Sequence, residues 1–518
     1  MTGTGGVPAV RVRRCNELPP AAAGDYVLYW MTAFRRLRSN YALERAAERA
    51  RQLRRPLLIL EALRCDYRWA SVRHHRFALD GMVEHAAALA GGPVGYYPYL
   101  EPSPGAGSGL LAALAAHAAV VIADDAPVFF LPRMLAAAAP RIALAGVAME
   151  AVDANGLLPL GAAPQTFVTA YHFRRFLQRT LPDHLGQPPA ERPLDRRLPP
   201  FPRGARGEPR LAPGIVERWP PADLGAPGDI AGVAAVADRL LAPLPIDRRV
   251  GAVADTPGGE QAAEAALDAF VGRLAAYGED RNDPDREATS GLSPYLHWGQ
   301  ISTHQVLAAV AAAERWSPER VARTTSGARA GWWGMSPAAE SFLDQAVTWR
   351  EVGFNMAAMG AGRADAERYE SLPPWARATL DRHRADPRPE LYDLAQLDAA
   401  ETHDEVWNAA QRQLVRDGRM HNYLRMLWGK KVLEWSPSPE AALARLIELN
   451  NRYALDGRDP NSYSGIFWCF GRYDRPWAPE RPIFGVVRYM SSASARRKLH
   501  LDRYLARHGP AGGQGNLF

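Results

Sequence analysis

Three tryptophans have the types and spacing that electron transfer would need. Trp428 and Trp435 stand one heptad apart in HNYLRMLWGKKVLEW, among arginines and lysines rather than in a uniformly apolar run. On a helix they lie two turns apart on one face, about 10 Å in rise, a gap that two indoles would bridge only through an intermediate. Trp407, in EVWNAAQ on the preceding helical stretch, is available for that role. Tryptophans at heptad spacing usually pack a core, and on spacing alone that reading wins.

A second group lies in YGEDRNDPDREATSGLSPYLHWGQIS, Tyr277 to Ser302. Thr289, Ser290 and Ser293 place hydroxyls ahead of Pro294 and a predicted helix, where free backbone N–H groups attract an anion. Tyr277 and Arg281 could hold the same anion from the other side. Taken alone, the segment is equally a well-capped helix. Elsewhere there is no G-x-G-x-x-G after the first strand, no G-x-x-x-x-G-K-[ST] and no H-E-x-x-H. GGPVGYYPYLEPSPGAGSG is glycine-rich, but nothing in the sequence sets it between a strand and a helix, so it reads as a plain loop. Acidic residues at His403-Asp404-Glu405 suit a helix start better than a metal, and no metal site is expected.

The elements that must position these residues fall into two kinds. From Asp25 to about Leu185, YVLYWM, PLLILEAL, PVGYYPYL, AVVIADD and IALAGVAMEAVD alternate with helical segments, the pattern of a Rossmann-like α/β domain with a largely parallel sheet, residues 1–185. Residues 186–259 are dense in Pro, Gly and Arg and read as a connector wrapping over the surface. Residues 260–518 are helical almost throughout. Ser438-Pro439-Glu440 offers an N-cap, an N1 proline and an acidic first turn, and Gly418 closes the helix before it.

A chain of 518 residues exceeds one typical core, and its net charge of +6 suits an anionic partner such as nucleic acid or a phosphate-bearing cofactor. Cys15, Cys65 and Cys469 lack C-x-x-C spacing, which argues against a disulfide framework or a zinc ribbon, and a cytoplasmic setting is expected. Neither a signal peptide nor an apolar run long enough to cross a bilayer is expected.

The Tyr277–Ser302 segment, with WNAAQ, MHNYLRM, LNNRYALDGRDPNSY and RPIFGVVRYM, resembles the DNA photolyase and cryptochrome family, closest to the class II cyclobutane pyrimidine dimer photolyases. The likeness runs from YVLYWM to the basic C-terminus. It implies an α/β antenna domain followed by an all-α domain that holds FAD. By that resemblance Tyr277, Arg281, Thr289, Ser290 and Ser293 contact the FAD phosphates, and Leu292 and Gln300 line the same pocket. Arg425 and Asp456 form a buried pair beside the flavin ring, and Asn450 faces its N5. Trp428, Trp407 and Trp435 become the proximal, middle and distal members of a relay from the surface inward. Glu351 hydrogen-bonds the dimer, while Met426 and Trp468 pack on it.

The resemblance further implies a monomeric lyase acting on damaged DNA that contains pyrimidine dimers; the basic residues Arg488, Arg496, Arg497 and Lys498 could neutralise phosphates around the lesion or equally form a solvated helical face. An antenna chromophore of the deazaflavin type is common in the family, and no motif here specifies one. After Glu351 the chain departs from the family, reading VGFNMAAMGAGRADAERYESLPPW. A cryptochrome-like photoreceptor without repair activity is the alternative; the short PAGGQGNLF after the last helix favours the enzyme.

Overall fold

The computed structural model describes residues 6–204, 207–225, 233–359 and 367–510. It divides into two compact units. The first comprises residues 1–164, 181–267 and 292–309, and the second residues 165–180, 268–291 and 310–518.

The first unit is built on a six-stranded sheet of order β1-β6-β5-β2-β3-β4, with β1 Val12–Arg14, β2 Tyr26–Met31, β3 Leu57–Leu63, β4 Gly95–Leu100, β5 Ala118–Asp124 and β6 Ala148–Val152. All pairings are parallel except β1 with β6. Parallel strands are covered on both faces, which is why their sequences are apolar without alternation. In β2, Val27, Tyr29 and Met31 enter one core while Tyr26, Leu28 and Trp30 enter the other.

The five strands expected from sequence are all present, with two differences. IALAGVAMEAVD is strand only at Ala148–Val152, because its first residues end helix Leu131–Leu144 and Gly146 turns the chain at φ +74°. The edge strand β1 has three mostly exposed residues and so carries no apolar pattern. The stretch 186–259 supplies Leu198 to one face of the sheet and Phe201, Ile215 and Trp219 to the other.

The glycine-rich loop after β4 does lie between a strand and a helix, Leu110–Ala115. A carboxylate already fills it: Glu101 accepts the N–H groups of Gly107 and Cys65. An anion there would meet that negative charge, so the plain-loop reading stands on a physical reason.

The second unit is helical. Helices Glu405–Asp417, Asn422–Glu434, Pro439–Tyr453 and Pro460–Trp468 form its centre. The expected caps are found: Ser438 accepts the Ala441 N–H, and Gly418 adopts φ +63° at the C-terminus of the first of these helices. Asp404 caps that same helix through the Trp407 N–H, which accounts for the acidic run at its start. Helix Arg350–Met359 is preceded by a π-helical segment, Asp344–Trp349, that the sequence pattern does not announce. Residues 360–366, within the departure after Glu351, lie outside the described residues.

Candidate active site

The three tryptophans meet. Trp407 stacks on Trp428 with ring centroids 6.4 Å apart and planes 8° from parallel, and it meets Trp435 edge-on at 5.6 Å. Helix Glu405–Asp417 thus supplies the indole that fills the two-turn gap along helix Asn422–Glu434. Each ring of the stacked pair is fixed by its own N–H: Trp407 Nε1 donates to the Trp428 carbonyl at 3.1 Å, and Trp428 Nε1 to Gln411 Oε1 at 2.9 Å.

One expectation changes. Trp435 is only 2% exposed, so it is not itself at the surface. Tyr392 at 5.4 Å and the exposed His403 at 5.3 Å cover it.

One turn before Trp428, the same helix carries Arg425 and Met426. Arg425 makes a two-pronged pair with Asp456, at 2.7 and 3.1 Å, with the two side chains 17% and 11% exposed. Burial lowers the affinity of Arg425 for its proton, but the Asp456 carboxylate outweighs it and holds the guanidinium firmly charged. Met426 reaches toward helix Pro460–Trp468, where a side chain on Gly465 would meet the Met426 methyl at 3.4 Å. Trp468 closes that helix, half-buried. Gly353 lets helix Arg350–Met359 lie against the same helix, since a Cβ there would come within 2.7 Å of Ser464 Oγ and 2.9 Å of the Pro460 carbonyl. Glu351 is 4% exposed on that helix and Arg350 7%, so the pair is not a surface ion pair.

Asn450 is buried near the end of helix Pro439–Tyr453. Its amide N–H groups go to Ser462 Oγ (2.9 Å) and Asn451 Oδ1 (3.1 Å). The remaining capacity is on its carbonyl oxygen, which Ser462 approaches at 3.2 Å, so Asn450 is set to accept a proton donor rather than to donate.

Of the residues expected to contact a phosphate, Tyr277, Arg281, Thr289 and Ser290 belong to the second unit and Ser293 to the first. In the second, buried Tyr277 lies 5.7 Å beneath the Arg281 guanidinium. Among the described residues no carboxylate pairs with Arg281, which leaves it available for a phosphate. Thr289 and Ser290 follow, half-exposed, and the Thr289 carbonyl accepts from Arg273. His421 Nε2 meets the Arg281 carbonyl at 3.1 Å, tying this segment to the N-terminus of helix Asn422–Glu434. Leu292, Ser293 and Gln300 belong to the first unit. There Leu292 is buried, Ser293 is exposed at the start of a five-residue helix, and Gln300 donates to the Phe77 carbonyl while its own buried carbonyl oxygen has no partner among the described residues.

Of the basic residues near the C-terminus, Arg488 is paired with Asp474 and Arg496 with Glu405, whereas Arg497 and Lys498 are simply exposed. Among the described residues no cluster suits a metal ion, and no helix is long and apolar enough to cross a membrane.

No family model matches the sequence. The chain is 32% identical to the deoxyribodipyrimidine photo-lyase of Methanothermobacter thermautotrophicus, over 97% of this chain and 98% of that one. The chain belongs to the DNA photolyase family. Deoxyribodipyrimidine photo-lyases of Oryza sativa (32%, covering 93% of this chain and 87% of the relative) and Potorous tridactylus (30%, 93% and 81%) agree. A bacterial class III photolyase from Agrobacterium tumefaciens superposes with a TM-score of 0.62 over 94% of this chain and 86% of its own, at 18% identity, and so shares the photolyase fold.

Against that family background, the structure adds residues that sequence reasoning passed over. Gln411, which holds Trp428, lies four residues after Trp407 and so shares its helix face; that spacing was available as a signal. His421, Ser462 and Lys430 gave none, since their roles depend on contacts 12 to 140 residues away.

Proposed function

We propose that this family member is a class II-type enzyme that splits cyclobutane pyrimidine dimers in DNA in the light, using FAD. The observation that carries the reading is the continuous indole contact Trp435–Trp407–Trp428, which ends one helical turn from the Arg425–Asp456 pair.

The residues present fit FAD. In the second unit Arg281, which no carboxylate pairs with among the described residues, makes with Tyr277, Thr289 and Ser290 a donor set suited to phosphate; in the first unit Ser293 offers a hydroxyl, Leu292 an apolar side chain and Gln300 a buried carbonyl oxygen without a partner among the described residues. The Arg425–Asp456 pair keeps a charged but internally balanced wall, and Asn450 offers an acceptor for a ring N–H. When bound and reduced, FAD supplies the photoexcitable electron that opens the cyclobutane ring. The chain's own residues do the rest. Trp435, Trp407 and Trp428 conduct electrons inward to keep the cofactor reduced. Met426 and Trp468 give a half-buried apolar wall to a dimer taken out of the stack. Glu351, withdrawn from bulk water, hydrogen-bonds the dimer as charge builds on it. Exposed Arg497 and Lys498, with Arg488 and Arg496, bind phosphates of a damaged duplex.

In the first unit, an antenna chromophore would suit the aromatic cluster at the carboxyl ends of β3 and β5. Tyr67 contacts Phe129 and Phe130, and Trp69 contacts Phe129, across the switch point where strand order reverses. Trp69 (φ +71°) and Phe129 (φ +49°) are held in the left-handed region, a strain that clusters at binding sites.

The test is to reduce the purified yellow protein and illuminate it with oligonucleotides carrying a cyclobutane dimer, a (6-4) photoproduct or no lesion. Thymines are restored only from the first; equal turnover of the (6-4) lesion, or none of either, would overturn the assignment.

A further inference from the structure

Consecutive lysines on helix Asn422–Glu434 face two different tryptophans in opposite electrostatic settings. Lys431 Nζ lies 5.3 Å from the Trp435 ring and is neutralised by Glu434 at 2.9 Å, with Asp404 at 4.0 Å. Lys430 is fully buried, 4.9 Å from the Trp468 ring, and its hydrogen bond of 2.7 Å goes to the neutral Cys469 carbonyl. Among the described residues no carboxylate pairs with it. Asp474, the acid whose field reaches it, is engaged by Arg488 at 2.9 Å and by Trp477 Nε1 at 3.2 Å. Arg488 lies 5.4 Å from the same Trp468 ring, but Asp474 offsets its charge, so Lys430 is the cation beside this indole that no carboxylate neutralises among the described residues. Burying an ammonium against one neutral acceptor is costly, and a methionine would fill the space without that cost. Stability therefore does not explain Lys430.

We propose that Lys430 raises the oxidation potential of Trp468 and so keeps the substrate-side indole from donating electrons, leaving Trp428 as the donor. This rests on the flavin and relay reading above. The event prevented is one electron leaving Trp468 for the photoexcited oxidised flavin. It would create a Trp468 radical cation, with no bond made or broken, and that new positive charge would face the buried Lys430 ammonium, which no carboxylate offsets among the described residues, while the Arg488 charge is offset by Asp474. A hole on Trp435 meets a lysine whose charge is already offset. Lys430 acts through Trp468 and is a positioning residue for charge, not a catalytic one.

The ionisation of Lys430 gives a second handle. Burial pushes it down to about 8, against smaller upward effects of Cys469 and Asp474 and with Arg488 adding to the fall. Cys469, itself pushed up to about 11 by burial, stays a neutral thiol across this range. Lys430 is thus charged at about pH 7 and largely neutral by about pH 9.

The experiment uses the flavin-loaded chain with the relay cut by Trp428→Phe, read by transient absorption. Photoreduction is expected to be lost at about pH 7, to return by more than about ten-fold in Trp428→Phe/Lys430→Met, and to vanish again when Trp468→Phe is added. A readout without flavin accompanies it. The Trp468 part of the apoprotein emission, obtained by difference from Trp468→Phe, shifts through about pH 8 with Lys430 present and not in Lys430→Met. Flavin-loaded Trp428→Phe/Lys430→Met that photoreduces no faster than Trp428→Phe would overturn the inference. Full photoreduction in Trp428→Phe alone would refute the relay instead, and the emission shift would then decide whether Lys430 governs Trp468. A colourless protein would remove the flavin reading and this inference together.

Discussion

Trp407 is fully buried with its N–H spent on a backbone carbonyl, and the Trp428 N–H is spent on the Gln411 side-chain oxygen. Indoles fixed like this keep a constant overlap, which a conductor needs and a merely space-filling ring does not. Trp428→Phe is therefore expected to slow photoreduction sharply while chemically reduced protein still repairs dimers. Unchanged photoreduction would show that electrons enter elsewhere. Glu351→Ala should abolish repair without loss of yellow colour, measured by thymine recovery and absorbance on the same sample. Asp456→Ala would strand the Arg425 guanidinium, and a denaturant titration should show a loss of about 3 kcal/mol or more together with released flavin. His421 is pushed down to about 4 by burial, against weaker upward pulls from the Arg281 carbonyl and Asp283. The folded chain binds fewer protons than the unfolded one below about pH 6.5, so this contribution is complete above that value and is lost as pH falls through about 4. It amounts to about 3 kcal/mol, and His421→Gln should flatten the acid limb of a stability–pH curve.

Helix and strand positions were largely legible because their causes are local. Ser438, Asp404 and Gly418 act within one turn of themselves, and the parallel strands announce themselves by apolar runs. What escaped has non-local causes. β1 exists because β6 offers it an edge, and the contact between helices Arg350–Met359 and Pro460–Trp468 exists because Gly353 has no side chain. Gly353→Val should push those helices apart, lowering thermal stability and repair together, whereas Gly91→Ala, in open space but at φ +69°, should cost stability alone. The site followed the same rule. Trp428 and Trp435 could be set on one helix face from their spacing and Trp407 joined to them through the family resemblance, but the burial of Trp435 under Tyr392 was not legible, since the two are 43 residues apart in sequence and meet only after folding.

At the scale of the molecule, the α/β unit contains its own charge constellation. Buried Glu61 joins Arg35 at 2.7 Å, His85 at 2.8 Å and Tyr96 at 2.8 Å. Burial alone would lower the basicity of His85, yet Glu61 and Glu260 raise it to about 10. That stabilisation is complete below about pH 6.5 and is lost as pH rises through about 10. Hydrogen exchange along β3 should accelerate over this window and stay slow in acid down to about pH 5; a flat profile would mean that the histidine is neutral in the folded chain.

The π-helical turn at Asp344–Trp349 has a consequence for how this protein can vary. Each residue advances a helix by about 100°, so deleting one position there would swivel Glu351 roughly a quarter-turn out of its buried setting without substituting any of the proposed site residues. Indels in this short stretch, rather than point changes, are where a lineage could lose the reaction and keep the fold.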